Sequence, residues 1–280
     1  MQIKTHFEDG KCFECNIPDE NEEVMHGVLW GCASKPFTPA YWRLICITNN
    51  AVHKQSIYHL GTSLKEEVVA CLLGGHGITG ELGLAAYNHL RLNHVLDADC
   101  PYTAEQIESL LREPLVVDGR SVRYRYPHQK AKYIYSAIGY LNANTPPNNC
   151  GKSLRNWLTA IPGIGYKTAS WVARNWLDAQ DVAILDIHIH RAGILAGIFS
   201  PNDDVRKDYL RMEENFIILA NGISVPANIL DNLIWSELRQ TPRLVRQMLT
   251  DRGVSSSDRC GLPPTYNRNS SRNYELFTST

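Results

Sequence analysis

In IPGIGYKTA, residues 161–169, two glycines stand two positions apart and Lys167 follows them; nineteen residues beyond that lysine, VAILDIHIHR carries Asp186. A neutral amine is a nucleophile, and a carboxylate beside it can assist the attack and stabilise positive charge that develops on the substrate. Gly163 and Gly165 add a second capacity. They permit positive φ and close backbone approach, and a helix beginning at Tyr166 points its unpaired N–H groups and positive end the same way, an arrangement that holds a phosphate without reading sequence. A nucleotide P-loop fits poorly, because it needs four residues between its glycines and a Gly-Lys-Ser or Gly-Lys-Thr ending after a strand. The dinucleotide fingerprint fails as well, since an amphipathic segment rather than a buried strand precedes the glycines. A plain turn between helices and a surface lysine stay open at this point.

Those residues need elements to position them. SLRNWLTA predicts a short helix with Leu154, Trp157 and Leu158 on one side, the proline and glycines turn the chain, and YKTASWVARNWL resumes a helix. Asp186 ends the β-like run DVAIL and suits the N-cap of DIHIHRAG. Upstream, LKEEVVACLL reads as a helix that Gly74 and Gly75 can close in a left-handed cap, and GELGLAAYNHLRL as the next. Thr103 and Gln106 form a capping box for a helix that stops before Pro114. Asp118-Gly119 predicts a two-residue hairpin whose basic strand starts at Arg120, with a helix after it over about 128–142. TPPNNCGKS reads as an inter-lobe loop. Beyond the motif, DVRKDYLRMEENFIILA and PANILDNLIWSELR predict helices, with Trp235 on a core face. YWRLICITNN looks strand-like, and the serine- and arginine-rich end looks like a loosely ordered basic tail.

The 280 residues are 44% hydrophobic and 20% charged, the range of a folded globular chain rather than a disordered one. No apolar run approaches the roughly 18 residues of a membrane span, and without an apolar segment after the first lysine the expected location is cytoplasmic. The net charge of −1 carries no signal for nucleic acid, so local clustering must. Between 119 and 144 there is no acid, while Arg120, Arg123, Arg125, Lys130 and Lys132 alternate with Tyr124, Tyr126, Tyr133 and Tyr135. That pattern fits a phosphate track with stacking platforms, or equally a solvated face beside core tyrosines. The eight cysteines lack the spacing of a disulfide framework. Cys12 and Cys15 form one CxxC, and a zinc site there would need completion from Cys32, Cys46, His6 or His26.

Together, IPGIGYKTA and VAILDIHIHR resemble the helix-hairpin-helix (HhH-GPD) DNA glycosylase superfamily, and within it the 8-oxoguanine DNA glycosylase-like branch. Weaker likeness in RYRYPHQKAKYI and NILDNLIWSEL extends this over about residues 64–239. The resemblance implies a mainly α, two-lobed helix-hairpin-helix glycosylase fold with a small β-hairpin and an N-terminal α+β or irregular accessory region. The expected divisions are an accessory region at 1–64, the glycosylase domain at 65–239 and a tail at 240–280. Within the domain, 65–145 forms the first lobe, 150–200 the hairpin and catalytic segment, and 201–239 the closing helices.

For chemistry, the resemblance implies an N-glycosylase with AP lyase activity in which Lys167 attacks C1′ of a flipped nucleotide and forms a Schiff base, assisted by Asp186. Gly163, Gly165, Tyr166, His188 and Lys130 would contact the DNA backbone. Trp171 would wall the base pocket where the mammalian-type 8-oxoguanine enzymes place a small thiol, a departure that bears on which base is taken. Carbonyls of Thr159, Ile161 and Ile164 allow, without requiring, a bound K⁺ or Na⁺. Endonuclease III relatives carry four clustered cysteines after the aspartate, whereas only Cys260 follows here, so no iron-sulfur cluster is expected. The implied partner is double-stranded DNA containing a damaged or modified base, most directly 8-oxoguanine, met by a monomer away from any membrane. The competing readings are a glycosylase for another modified base, including one of invading DNA, and a non-catalytic hairpin scaffold.

Overall fold

The N-terminal part pairs β1 (Gln2–Glu8) with β2 (Lys11–Ile17) and β3 (Glu23–Met25) with β4 (Val28–Leu29), all antiparallel. In this computed structural model, residues 1–8, 11–49, 59–75, 77–97, 102–255 and 260–263 are described, with side chains at 6–8 and 11–13 outside that description. The strand-like reading of YWRLICITNN is overturned for its described residues 41–49, which lie in α1 (Pro39–Thr48) and its C-cap Asn49. Thr38 accepts the Tyr41 N–H at 3.1 Å and Pro39 occupies the first turn, where its missing N–H costs nothing. Trp42 and Cys46, one turn apart, are then both fully buried.

The expected helix starts hold where polar caps mark them: Ser63 at α2 (Leu64–Leu73), Thr79 at α3 (Gly80–Leu92), and the Thr103/Gln106 capping box at α4 (Ala104–Arg112). Asp118 and Gly119 take positive φ, 50° and 71°, closing β5 (Leu115–Val117) onto β6 (Arg120–Val122). There follow α5 (Pro127–Ala143), α6 (Gly151–Leu158), α7 (Tyr166–Leu177), α8 (Ile187–Ala196), α9 (Tyr209–Gly222), α10 (Ala227–Gln240) and α11 (Pro242–Asp251). Gly74 does not close α2 in a left-handed turn; its φ is −78° and ψ −175°. Nor is DVAIL a strand, for residues 181–185 have no ladder partner. Among the described residues no single helix is long and apolar enough to cross a membrane.

Buried apolar residues gather into two cores. The first is built by α2 to α7 and ends at Val182; the second begins at Ala183 and joins α8 to α11 with α1 and residues of β2 and β4. TPPNNCGKS therefore does not separate lobes, since α5 and α6 on either side of it share the first core. Residues 1–49 form an α+β region, as expected, and Trp30, Phe37 and Trp42 pack it into the same core as Phe216, Leu230 and Leu249. The tail reading is corrected for 240–255 and 260–263: Val245, Leu249, Val254 and Cys260 are all buried, and Arg191 Nε and Arg252 donate to the carbonyls of Gly261 and Ile194. Residues 264–280 lie outside the described part. Between the cores run two buried ion pairs among the described residues, Arg155–Glu213 at 3.0 Å and Arg174–Asp231 at 2.7 Å.

Candidate active site

The hairpin at 159–165 is set by two isoleucines. Ile161 and Ile164 are buried in the first core and joined by a 3.1 Å bond from the Ile164 N–H to the Ile161 carbonyl, which leaves Pro162, Gly163, Gly165, Tyr166 and Lys167 exposed. The two glycines have different reasons. At Gly163 φ is +87° and an added Cβ would lie 2.3 Å from the Tyr133 ring, so both conformation and space demand glycine. At Gly165, the N-cap of α7, φ is −92° and a Cβ would meet nothing within 4 Å. Gly163→Ala is expected to lower stability by about 2–5 kcal/mol from strain plus overpacking. Gly165→Ala is expected to cost under about 1 kcal/mol. Urea-denaturation midpoints of the two variants check the contrast.

Lys167 stands exposed in the first turn of α7, on the first lobe. Asp186 caps α8 on the second lobe, with Oδ1 accepting the His188 N–H at 2.8 Å and the Ile189 N–H at 2.9 Å. Its Oδ2 accepts no bond among the described residues, leaving one carboxylate oxygen for an external partner. His188 sits where the charges of Asp186, Arg191, Arg239 and Lys167 all act on it. Burial lowers its pKa below 6.5 and the three cations lower it further, against the opposing pull of Asp186. The unfolded chain therefore binds the proton first, so this contribution to stability is complete above pH 6.5 and is lost as pH falls through the depressed folded value. His190, also lowered by burial, adds to the same slope. His188→Gln is expected to reduce, without abolishing, the fall of the melting temperature below pH 6.5.

The other expected site residues divide. Tyr166 faces the junction, stacked on Tyr209 with ring centroids 5.5 Å apart. Lys130 is not presented to a phosphate: its amine donates to the carbonyls of Leu72 and Gly74, closing the end of α2, and burial lowers its pKa. Trp171 is half-buried with its ring edge against Gly74, where an added Cβ would come within 3.0 Å. In the basic stretch Arg120, Arg123, Arg125 and Lys132 are exposed as a phosphate track requires. Tyr124 is instead a core residue whose hydroxyl donates to the Leu73 carbonyl at 2.6 Å. At the CxxC, Cys12 and the alternative ligand His6 have side chains outside the described residues. Cys15 and Cys46 are buried, which raises their thiol pKa values, and no group of three or more metal-binding side chains occurs among the described residues.

Trp235, read from the sequence as core, is 37% exposed and carries the Arg239 guanidinium 4.2 Å from its ring centroid. Arg239 also acts electrostatically on His188. The signal was available, since Trp235 and Arg239 are four apart in a predicted helix and so share a face.

Residues 57–225 match the Ogg-HhH family, described as 8-oxoguanine DNA glycosylase. The chain is 29% identical over 125 residues to an 8-oxoguanine DNA glycosylase/AP lyase of Metallosphaera sedula, covering 41% of this chain and 59% of that protein, less than two thirds of its length. It is 26% identical over 151 residues to an enzyme of the same name from Fusobacterium nucleatum, covering 47% and 69%. Its fold is similar to crystal structures of the 8-oxoguanine DNA glycosylases of Thermotoga maritima (TM-score 0.54, 23% identity, 72% of this chain and 95% of that one) and Methanocaldococcus jannaschii (0.53, 22%, 72% and 93%).

Proposed function

Because this chain belongs to the 8-oxoguanine DNA glycosylase family by its match over 57–225, we propose that it excises an oxidised purine, foremost 8-oxoguanine, from duplex DNA and then cleaves the strand. The observation that carries this reading is an exposed lysine on the glycine hairpin together with a capped aspartate that keeps Oδ2 available.

Backbone amides at Gly163, Gly165 and Tyr166 hold the DNA backbone, which helps offset the few kcal/mol needed to extrude a base. Lys167, once it has given up its proton, attacks C1′, the bond from C1′ to the purine nitrogen breaks, and its electron pair leaves with the base, which takes up a proton. Asp186 stabilises the positive charge developing on the sugar. The attacking nitrogen loses a proton as the sugar ring opens to the protonated Schiff base, loss of a C2′ proton expels the 3′ phosphate, and water releases the lysine. The exposed face of Trp235, steadied by Arg239, offers a stacking surface for the extruded purine, with Trp171 as a candidate pocket wall. Carbonyls of Thr159, Ile161 and Ile164 are hard oxygen donors suited to K⁺ or Na⁺ beside the DNA phosphate.

Trp171 favours a second reading in which the same chemistry serves a different modified purine. The test is a panel of duplexes carrying 8-oxoguanine, other modified purines, an abasic site or only ordinary bases, each incubated with protein and borohydride. Excision and trapping on the 8-oxoguanine duplex would support the first reading. Trapping at the abasic site with excision only of another purine would support the second, and no adduct anywhere would overturn both in favour of a binding scaffold.

A further inference from the structure

Residues 181–185 carry the chain from the first core into the second and lead directly to Asp186, yet they have no strand to pair with. Their buried N–H and C=O groups must find other partners. Glu213 and Tyr209, one turn apart on α9, provide them. Ala183 N–H donates to Glu213 Oε1 at 3.0 Å, and the Tyr209 hydroxyl donates to the Ala183 carbonyl at 2.7 Å and accepts the Leu185 N–H at 3.4 Å.

The same side chains reach the other lobe. Glu213 Oε1 also accepts the Ser170 hydroxyl at 3.0 Å, three residues beyond Lys167 on α7, while Oε2 pairs with Arg155 of α6 at 3.0 Å. Glu213 is 2% and Arg155 3% exposed, so the pair is screened from water. Tyr166, next to Lys167, contacts both the Tyr209 ring and the Arg155 guanidinium, the latter 5.3 Å from its centroid. One carboxylate thus touches the helix of Lys167, the helix before it and the run that presents Asp186.

We propose that Glu213, together with Tyr209, is a positioning residue that sets Lys167 and Asp186 in reacting register across the two lobes. The inference rests on those two being the reacting pair. A buried ion pair replaced by well-packed apolar residues often leaves stability unchanged, but such residues cannot accept the Ala183 and Ser170 hydrogens. Positioning and mere stabilisation therefore separate experimentally, because a displacement of about 1 Å at reacting atoms costs on the order of 100-fold in rate.

Single-turnover excision from an 8-oxoguanine duplex, borohydride trapping on an abasic duplex, affinity for that duplex and the melting temperature would be measured for wild type, Tyr209→Phe, Glu213→Gln and the double variant Arg155→Met/Glu213→Leu. Tyr209→Phe keeps the ring stack, and so keeps the question decidable if the glutamate variants fail to fold. The expected result is affinity within about twofold of wild type and a chemical step slowed about 10- to 100-fold, in the double variant even where its melting temperature is restored. Variants that melt earlier yet react at the wild-type rate per folded molecule, or a double variant with full activity, would overturn the inference and leave the Lys167 assignment standing. A wild type that forms no adduct would remove that assignment, and the inference with it.

Discussion

Lys167→Gln is expected to lower excision from an 8-oxoguanine duplex by about 10⁴-fold or more, and to abolish borohydride trapping on an abasic duplex, with little change in melting temperature. The size follows from the role. An amide nitrogen cannot attack C1′ or form an iminium, so the whole covalent route is lost, at least about 5 kcal/mol of barrier at 1.36 kcal/mol per tenfold. Stability should hold because Lys167 is exposed and makes no hydrogen bond or ion pair to the described residues. A variant that still forms the reduced adduct would sink the assignment of the nucleophile, and one that binds abasic DNA as wild type does would show that only chemistry was removed.

Asp186→Asn is expected to slow excision by about 10²- to 10⁴-fold, while Asp186→Ala slows it comparably and also destabilises the protein by about 1 kcal/mol. The pair of variants divides two roles of one side chain. Asn retains an oxygen that can accept the His188 and Ile189 N–H groups, now made to Oδ1 at 2.8 and 2.9 Å, so the cap survives and only the negative charge goes. Ala removes both. Single-turnover rates beside thermal melts read the two effects separately; an Asn variant with near-wild-type excision would mean that Asp186 serves as a helix cap alone.

Local chemistry made much of this readable from the chain. Thr103 marks a helix start because its side-chain oxygen can satisfy an N–H within its own turn, and Asp118-Gly119 marks a hairpin because both residues tolerate positive φ. The same locality explains the error at YWRLICITNN, where β-prone residues are carried into α1 by Thr38 and by burial of Trp42 and Cys46 against a core formed more than 130 residues away. Gly163 and Gly165 looked alike in sequence and differ in the fold, since only the former meets the Tyr133 ring.

By itself the sequence determined that an amine and a carboxylate are carried on a glycine hairpin and a helix cap, because those motifs are spaced within about thirty-five residues and each is closed by near neighbours. Tertiary structure alone decided which residues reach the site. Lys130 turns away to close α2, Trp235 comes to the surface under Arg239, and Glu213 ties Arg155, Ser170 and Ala183 together across two cores. The physical reason is that a side chain's partners are settled by burial and hydrogen-bond demand between segments far apart in the chain, and no local spacing records that demand.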